Sequence, residues 1–430
     1  MATVNTAGYA SDVVVGSALP QEMNYQLPAS LPAAKNFEIR IQPINAQTFK
    51  AGNVIQIDLP CGRPGQYLDP TTAYLRFKAT YTSGTVNTNT SRLMGSAYSY
   101  FIKQEVYGNN SVLLESINEL GVLASMLVNL QLNDADKRGL SSAMGFEYGS
   151  TAYNCSAVAG HLINNTADAA GVIDGQTFDY CIPIIGILGS GTNKMFPIGE
   201  IYGLRIEWTM DQFANFAKVF AGTNVTDCVI SDVEFCANVI ELAPEANALI
   251  QAQNPEKIRI RSQTYRQASN NLTASQPVGT QDLLVGIRVS SLKSIFMACS
   301  TGLTAEGKFA GINPNLDQGT CYIIGGQNYR QRTLNPSARP GDAFFETQKA
   351  LGALSYSVFN GCIGKSGWNV SSTAYGLCAA FNATAANLLT KPNQFYLGVD
   401  VETVARKENL LSGINVNSSP KQNWESLIAI

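Results

Sequence analysis

The layout of the second half of this chain repeats that of the first, at an offset of roughly 220 residues. Phe37-Glu38-Ile39-Arg40-Ile41-Gln42 is echoed by Glu256-Lys257-Ile258-Arg259-Ile260-Arg261. A strand pattern, a Gly turn, a second strand and a helix run from Phe101 through Gly108-Asn109-Asn110-Ser111 to Ser116 and beyond. The same order runs from Cys321 through Gly325-Gly326-Gln327-Asn328 to Asp342. Tyr202-Gly203-Leu204-Arg205-Ile206-Glu207 then finds a counterpart in Tyr396-Leu397-Gly398-Val399-Asp400-Val401. No single match carries the argument. Three matches in the same order predict two tandem copies of one β-rich domain, with a length of 430 residues ample for two cores.

Strand patterns dominate both halves. Ala73, Leu75, Phe77 and Ala79 alternate with Thr72, Tyr74, Arg76, Lys78 and Thr80, as a half-buried antiparallel strand requires. Ile102 to Tyr107 and Val112 to Ile117 flank Gly108-Asn109-Asn110-Ser111, whose residues tolerate the positive φ of a tight hairpin. Ser116 and Glu119 have capping-box spacing, and Leu120, Leu123, Ala124, Leu127 and Leu130 follow at helical period. The Ser-, Ala- and Asn-rich stretch from about 133 to 175 reads as a long loop. Further strands are expected at 178–185, 201–210, 228–242, 258–265, 283–289, 292–298, 321–324 and 394–401.

Two short helices complete the pattern. Pro244 suits a first helical turn, so Glu245 to Gln253 reads as a helix closed by Asn254-Pro255 and as the junction of the two halves. A second helix is expected from Asp342 to Leu351, with Asp342 as its N-cap. The domain division that follows is an extended N-terminal arm over 1–35, a first β-sandwich over 36–243, a linker helix over 244–255 and a second sandwich with a C-terminal tail over 256–430. The arm carries Pro20, Pro28 and Pro32 and no apolar period, so neither helix nor strand is expected in it.

Composition narrows the function classes. Charged residues are only 14% of the chain, against about 25% in ordinary globular domains. Amide and hydroxyl residues take their place, which suits a surface packed against neighbours more than one kept dispersed by charge. Net charge is −3, and the nearest approach to a basic cluster is Arg259, Arg261 and Arg266 on one strand pattern. Binding a nucleic-acid backbone needs clustered Lys and Arg, so no direct nucleic-acid binding is expected. The nine cysteines stand singly without metal-knuckle or redox spacing, which fits a reducing compartment. No signal-peptide pattern and no apolar run of membrane-spanning length are visible.

No constellation of residues points to catalysis, a cofactor or a metal. The single histidine, His161, cannot build a His-based metal site and lies in a loop pattern. Gly186 to Lys194 is Gly-rich, but Lys194 does not follow the last Gly directly and no helix pattern comes after it, so it reads as a turn between strands. Glu207 with Asp211, or Asp400 with Glu402, could be imagined as a glycosidase pair, yet acidic residues at strand ends are ordinarily solvated. Trp208, Tyr202, Phe395 and Tyr396 read as core rather than as a sugar platform.

Several segments carry a family resemblance. Gly65-Gln66-Tyr67-Leu68-Asp69-Pro70, Phe101 to Tyr107 followed by Leu113 to Ile117, Phe196-Pro197-Ile198-Gly199 followed by Leu204 to Glu207, and Leu411-Ser412-Gly413-Ile414-Asn415 are similar to the double jelly-roll major capsid proteins of tailless icosahedral DNA viruses. The resemblance implies an all-β chain of two tandem jelly rolls and a structural, non-enzymatic role in a virion. It further implies a homotrimeric, pseudo-hexagonal capsomer whose partners are neighbouring capsomers, minor capsid proteins and an inner membrane surface. For that family the chain is compact, so large tower insertions should be absent. The alternative is a carbohydrate-binding or carbohydrate-cleaving β-sandwich protein. The tail from Pro420 to Ile430 reads either as a docking segment or as the packing of a last strand.

Overall fold

A computed structural model describes residues 33–60, 62–83, 91–108, 111–147, 159–160, 177–189, 194–201, 203–219 and 225–254 of the first half. Of the second half it describes 258, 260, 262–271, 282–300, 308–309, 311, 313–314, 319–351, 368, 395–402, 413–416 and 423–425. The N-terminal arm, apart from residues 33–35, lies outside the described residues, as do His161, Tyr202, Arg259 and Arg261.

Among the described residues of the first half, eight strands of six residues or more build the framework: β1 (Ala34–Ile41), β2 (Val54–Leu59), β3 (Gln66–Ser83), β4 (Phe101–Tyr107), β5 (Leu113–Asn118), β6 (Thr177–Pro183), β7 (Leu204–Met210) and β8 (Val225–Leu242). One sheet has the order β1-β8-β3-β6 and the other β2-β7-β4-β5, every pair antiparallel. The pairs β1:β8, β2:β7, β3:β6 and β4:β5 are nested, so the chain is one long hairpin of four strands out and four back. Rolling that hairpin up adds the contacts β8:β3 and β7:β4. This connectivity is the eight-stranded jelly roll.

The core sits between the two sheets. Ala73, Leu75, Phe77, Ala79 and Tyr81 of β3 point inward, as the alternation predicts, and meet Ile55, Ile57 and Leu59 of β2 and Leu204, Ile206, Trp208 and Met210 of β7. Phe77 is edge-on to Tyr100 and Phe101, with ring centroids 5.7 and 5.4 Å away. Trp208 is buried with its indole N–H satisfied, donating to Gln104 Oε1 at 3.1 Å while Gln104 Nε2 donates to the carbonyl of Ile185 at 2.6 Å. A buried Trp without such a partner would cost a few kcal/mol, so Gln104 on β4 is what lets Trp208 enter the core.

The second half uses the same nesting. Its strands are β9 (Asp282–Leu284), β10 (Ser294–Met297), β11 (Thr320–Ile324), β12 (Gln327–Leu334), β13 (Leu397–Asp400) and β14 (Asn423–Glu425). The pairs are β9:β14, β10:β13 and β11:β12, again outermost, middle and innermost. The β11:β12 turn is Gly325-Gly326, both with positive φ, which glycine alone adopts without cost and which a two-residue hairpin demands. In each half the innermost hairpin is followed by a helix: α1 (Leu120–Gln131) after β5, and α4 (Pro340–Ala350) after β12. The internal repeat read from the sequence is therefore a repeat of topology, with three nested pairs among the described residues of the second half against four in the first.

Five local expectations are corrected. Ser116 does not cap α1, because it still belongs to β5 opposite Glu105; Glu119 makes the turn instead, at φ +50. The stretch after residue 133 is not all loop, since α2 (Asp134–Met144) forms there with Asn133 as N-cap, accepting from the amide of Asp136 at 2.8 Å. Asp342 is not the cap of α4; Arg339 occupies that position, Pro340 opens the helix, and Asp342 lies in its first turn. Ile258 to Tyr265 is no regular strand among its described residues, and 283–289 narrows to Asp282–Leu284. The helix expected at 245–253 forms, as α3 (Pro244–Gln253).

Candidate functional site

The residues singled out by sequence reasoning are not brought together. Glu207 accepts from Gln56 Nε2 at 3.0 Å across the outer face of β7 and β2. Asp400 accepts the backbone amide of Glu402 at 3.0 Å, and Glu402 pairs with Lys293 at 3.2 Å. Each carboxylate is thus tied to its own surroundings. Trp208, Phe395 and Tyr396 are buried, in line with the core reading. The described part of the Gly-rich stretch is a turn, with the amide of Gly189 donating to the carbonyl of Gly186 at 3.1 Å. Among the described residues no group of three or more His, Cys, Asp or Glu is placed to hold a metal ion, and no described helix is long and apolar enough to cross a membrane.

The outer face of the β1-β8-β3-β6 sheet gathers an unusual share of the chain's few charges. Arg40 lies 3.2 Å from Glu38 and 3.6 Å from Glu234, and Arg76 lies 3.4 Å from Glu234 and 3.2 Å from Asp179. Lys78 meets Asp232 at 2.8 Å, which holds the Asp232 carboxyl below the usual range. The chain of alternating charge runs across all four strands. Exposed pairs of this kind add little stability each, and their regular cross-strand placement keeps this face wetted.

Charge is buried where the two halves meet. Lys308, with its side chain 9% exposed, reaches from the second half into the first. Its Nζ lies 2.7 Å from Glu119 Oε2, off the ideal hydrogen-bond direction, and donates to Asp211 Oδ2. Asp211 is 2% exposed and fixed just beyond β7: its amide donates to the carbonyl of Tyr100, and its Oδ1 accepts from Gln212 N and Asn215 Nδ2, both at 2.8 Å. Next to Lys308, Phe309 packs with Met94 and Val122 in a small apolar cluster beside α1. The left-handed turn at Glu119, which displaced the expected capping box, is what aims its carboxylate at Lys308.

A second buried carboxylate lies on the same seam. Glu115 of β5 is 2% exposed, and its Oε2 accepts the amide of Ile187 at 3.0 Å. Burial raises its pKa, while the Thr264 hydroxyl, the Ile187 amide and the charge of Arg266 each pull it back. Thr264 and Arg266 belong to the segment that follows α3, so this contact too joins the halves. Neither Lys308 nor Glu115 was legible as a site residue, because each partner is distant in sequence and nothing in the local pattern marks it.

Comparisons with known proteins follow the topology. No protein-family profile and no curated protein sequence matches the chain. Solved structures do. The Faustovirus major capsid protein aligns with a TM-score of 0.58 over 97% of this chain and 90% of its own, at 10% identity. PBCV-1 VP54, as fitted into a reconstruction of the virophage Sputnik, aligns at 0.55 over 93% and 85%, at 8% identity. A quasi-atomic description of the PBCV-1 virus capsid aligns at 0.53 over 93% and 85%, at 9% identity. The alignments take in both halves together, and with the nested strand pairs they establish that this chain has the double jelly-roll fold.

Proposed function

We propose that this protein is a structural major capsid subunit, three copies of which form a pseudo-hexameric capsomer in an icosahedral virion shell. The observation that carries the reading is that the whole chain, and not one half of it, aligns with capsid proteins at near-complete coverage of both partners. A double jelly roll presents two similar sandwiches side by side, so three chains offer six similar units to a lattice. The low share of charged residues, 14%, suits a surface spent on neighbours. Structural function needs no catalytic constellation, and the carboxylates considered above are engaged in ladders and seams.

Within that reading, residues 1–35 are an arm reaching to neighbouring subunits or an inner membrane surface, 36–243 the first jelly roll, 244–255 a linker helix and 256–430 the second jelly roll with its tail. The position of α3 between β8 and the second nested set supports this division. The purified chain is expected to sediment as a trimer and to give trimers or shells in electron micrographs. A stable monomer that binds an oligosaccharide in a glycan screen would overturn the proposal in favour of the carbohydrate-binding alternative.

A further inference from the structure

We propose that Lys308, Asp211 and Glu119 form a self-processing site, at which the Lys308 amine and the Asp211 carboxyl condense to an amide that joins the two jelly rolls covalently. The inference goes beyond the capsid reading, because the reaction takes place within one folded chain and needs no shell.

The three groups stand where such a reaction needs them. Lys308 Nζ donates to Asp211 Oδ2, which brings the amine up against the carboxyl group. The other oxygen, Oδ1, is held by the amide of Gln212 and by Asn215 Nδ2, both at 2.8 Å. Two donors on one carbonyl oxygen are what stabilises the negative charge that gathers there when a nucleophile adds. Glu119 Oε2 lies 2.7 Å from Nζ and is buried without a hydrogen bond among the described residues, so it keeps a lone pair for a proton. One carboxyl is locked in place and the other is left able to move protons.

The chemistry closes without a co-reactant. A proton passes from the Lys308 ammonium to Asp211 Oδ2 along their contact, trading a buried ion pair for a neutral amine and a neutral acid. The amine lone pair adds to the Asp211 carboxyl carbon, and the C=O electron pair moves onto Oδ1. Glu119 takes one proton from the now positive nitrogen and delivers it to Oδ2. The Oδ1 pair re-forms the C=O bond, the C–Oδ2 bond breaks, and Oδ2 leaves as water with Glu119 ionised again. One C–N bond is made, one C–O bond is broken and one water is released.

Enclosure favours this direction. In bulk water the separate ions are preferred because each is solvated, and a site that denies them hydration removes that preference. Asp211 and Lys308 are both nearly closed off from solvent. The Phe309 ring, its centroid 6.0 Å from Nζ, packs with Met94 and Val122 beside them. Glu119 borders a cleft of about 370 Å³ that Lys103, Asn118 and Gln267 also line, which gives the expelled water an exit. Asp211 and Lys308 are 97 residues apart, on opposite sides of α3, so the amide staples one half to the other.

The test is the intact mass of the purified full chain under denaturing conditions, compared with Glu119→Gln made in the same way. Beyond the mass of the substitution itself, the native chain should be lighter by one water, and its digest should hold a branched peptide joining Asp211 to Lys308. Glu119→Gln should keep the water and give two separate peptides. Should that variant fail to fold, Lys308→Arg supplies the check, since it keeps the positive charge but offers no comparable nucleophile; it too should keep the water. A purely ionic contact changes no mass. A native chain that keeps its water, or loses it anywhere other than between Asp211 and Lys308, overturns the proposal, and undiminished joining in Glu119→Gln overturns the part given to Glu119.

Discussion

Lys308 balances two carboxylates, one of which has almost no access to water. Asp211 is 2% exposed, and its second oxygen depends on the Lys308 ammonium after Gln212 and Asn215 have satisfied the first. Glu119 is 23% exposed and so retains part of its hydration. Removing one partner of a buried pair leaves an uncompensated charge and costs about 3–5 kcal/mol, whereas neutralising both sides costs far less. Lys308→Met should therefore destabilise the chain by several kcal/mol, towards the lower end of that range because Glu119 can turn to solvent. Adding Asp211→Asn should restore a large part of the loss. Urea midpoints for the two single variants and the double one give the coupling directly; strict additivity would show that Lys308 acts through packing alone.

At the scale of elements, what the sequence revealed was what local period and turn chemistry control. The β4–β5 hairpin, α1 and α3 were legible because alternation, Gly-containing turns and helical spacing each act within a few residues. The strand expected at 258–265 is not a regular strand among its described residues: they alternate, but alternation alone does not make a sheet. Helix α2 was missed because its interior is mostly polar, with Leu140 exposed, so its apolar period is weak. Capping, the burial of Met144 in the main core and a bond from Lys137 hold it. Asn133 closes its start, Gly145 at φ +75 closes its end, and the buried Lys137 donates to the carbonyl of Asn129 at the end of α1, at 2.8 Å. The cap signal was present in Asn133 and the acidic residues after it, and weighing it above hydrophobic period would have found the helix. Asn133→Ala should accordingly cost about 1 kcal/mol in a denaturant titration. An unchanged midpoint would mean that contacts along the helix, and not its cap, set it.

For the whole molecule, the nested strand pairs among the described residues open with β1. β1 begins at Ala34, runs antiparallel to β8 as far as Leu242, and is sealed by the amide of Ala243 donating to the carbonyl of Ala33 at 3.0 Å. Its first residues, Ala34 to Glu38, are exposed, and Ile39 is the earliest residue packed against the main core. Within β1, apolar burial therefore begins at Ile39. Under the proposed function residues 1–35 are an arm, and fixing each backbone unit of such an arm costs about 1–2 kcal/mol of conformational entropy that burial must offset. A neighbouring subunit or inner layer is the natural source of that burial in a shell. Deletion of residues 1–32 should leave the circular dichroism spectrum and the denaturant midpoint of the subunit unchanged, while shells fail to form or fall apart in electron micrographs. If the truncated chain instead loses its cooperative unfolding transition, the arm belongs to the core of a jelly roll and the division at residue 35 is wrong.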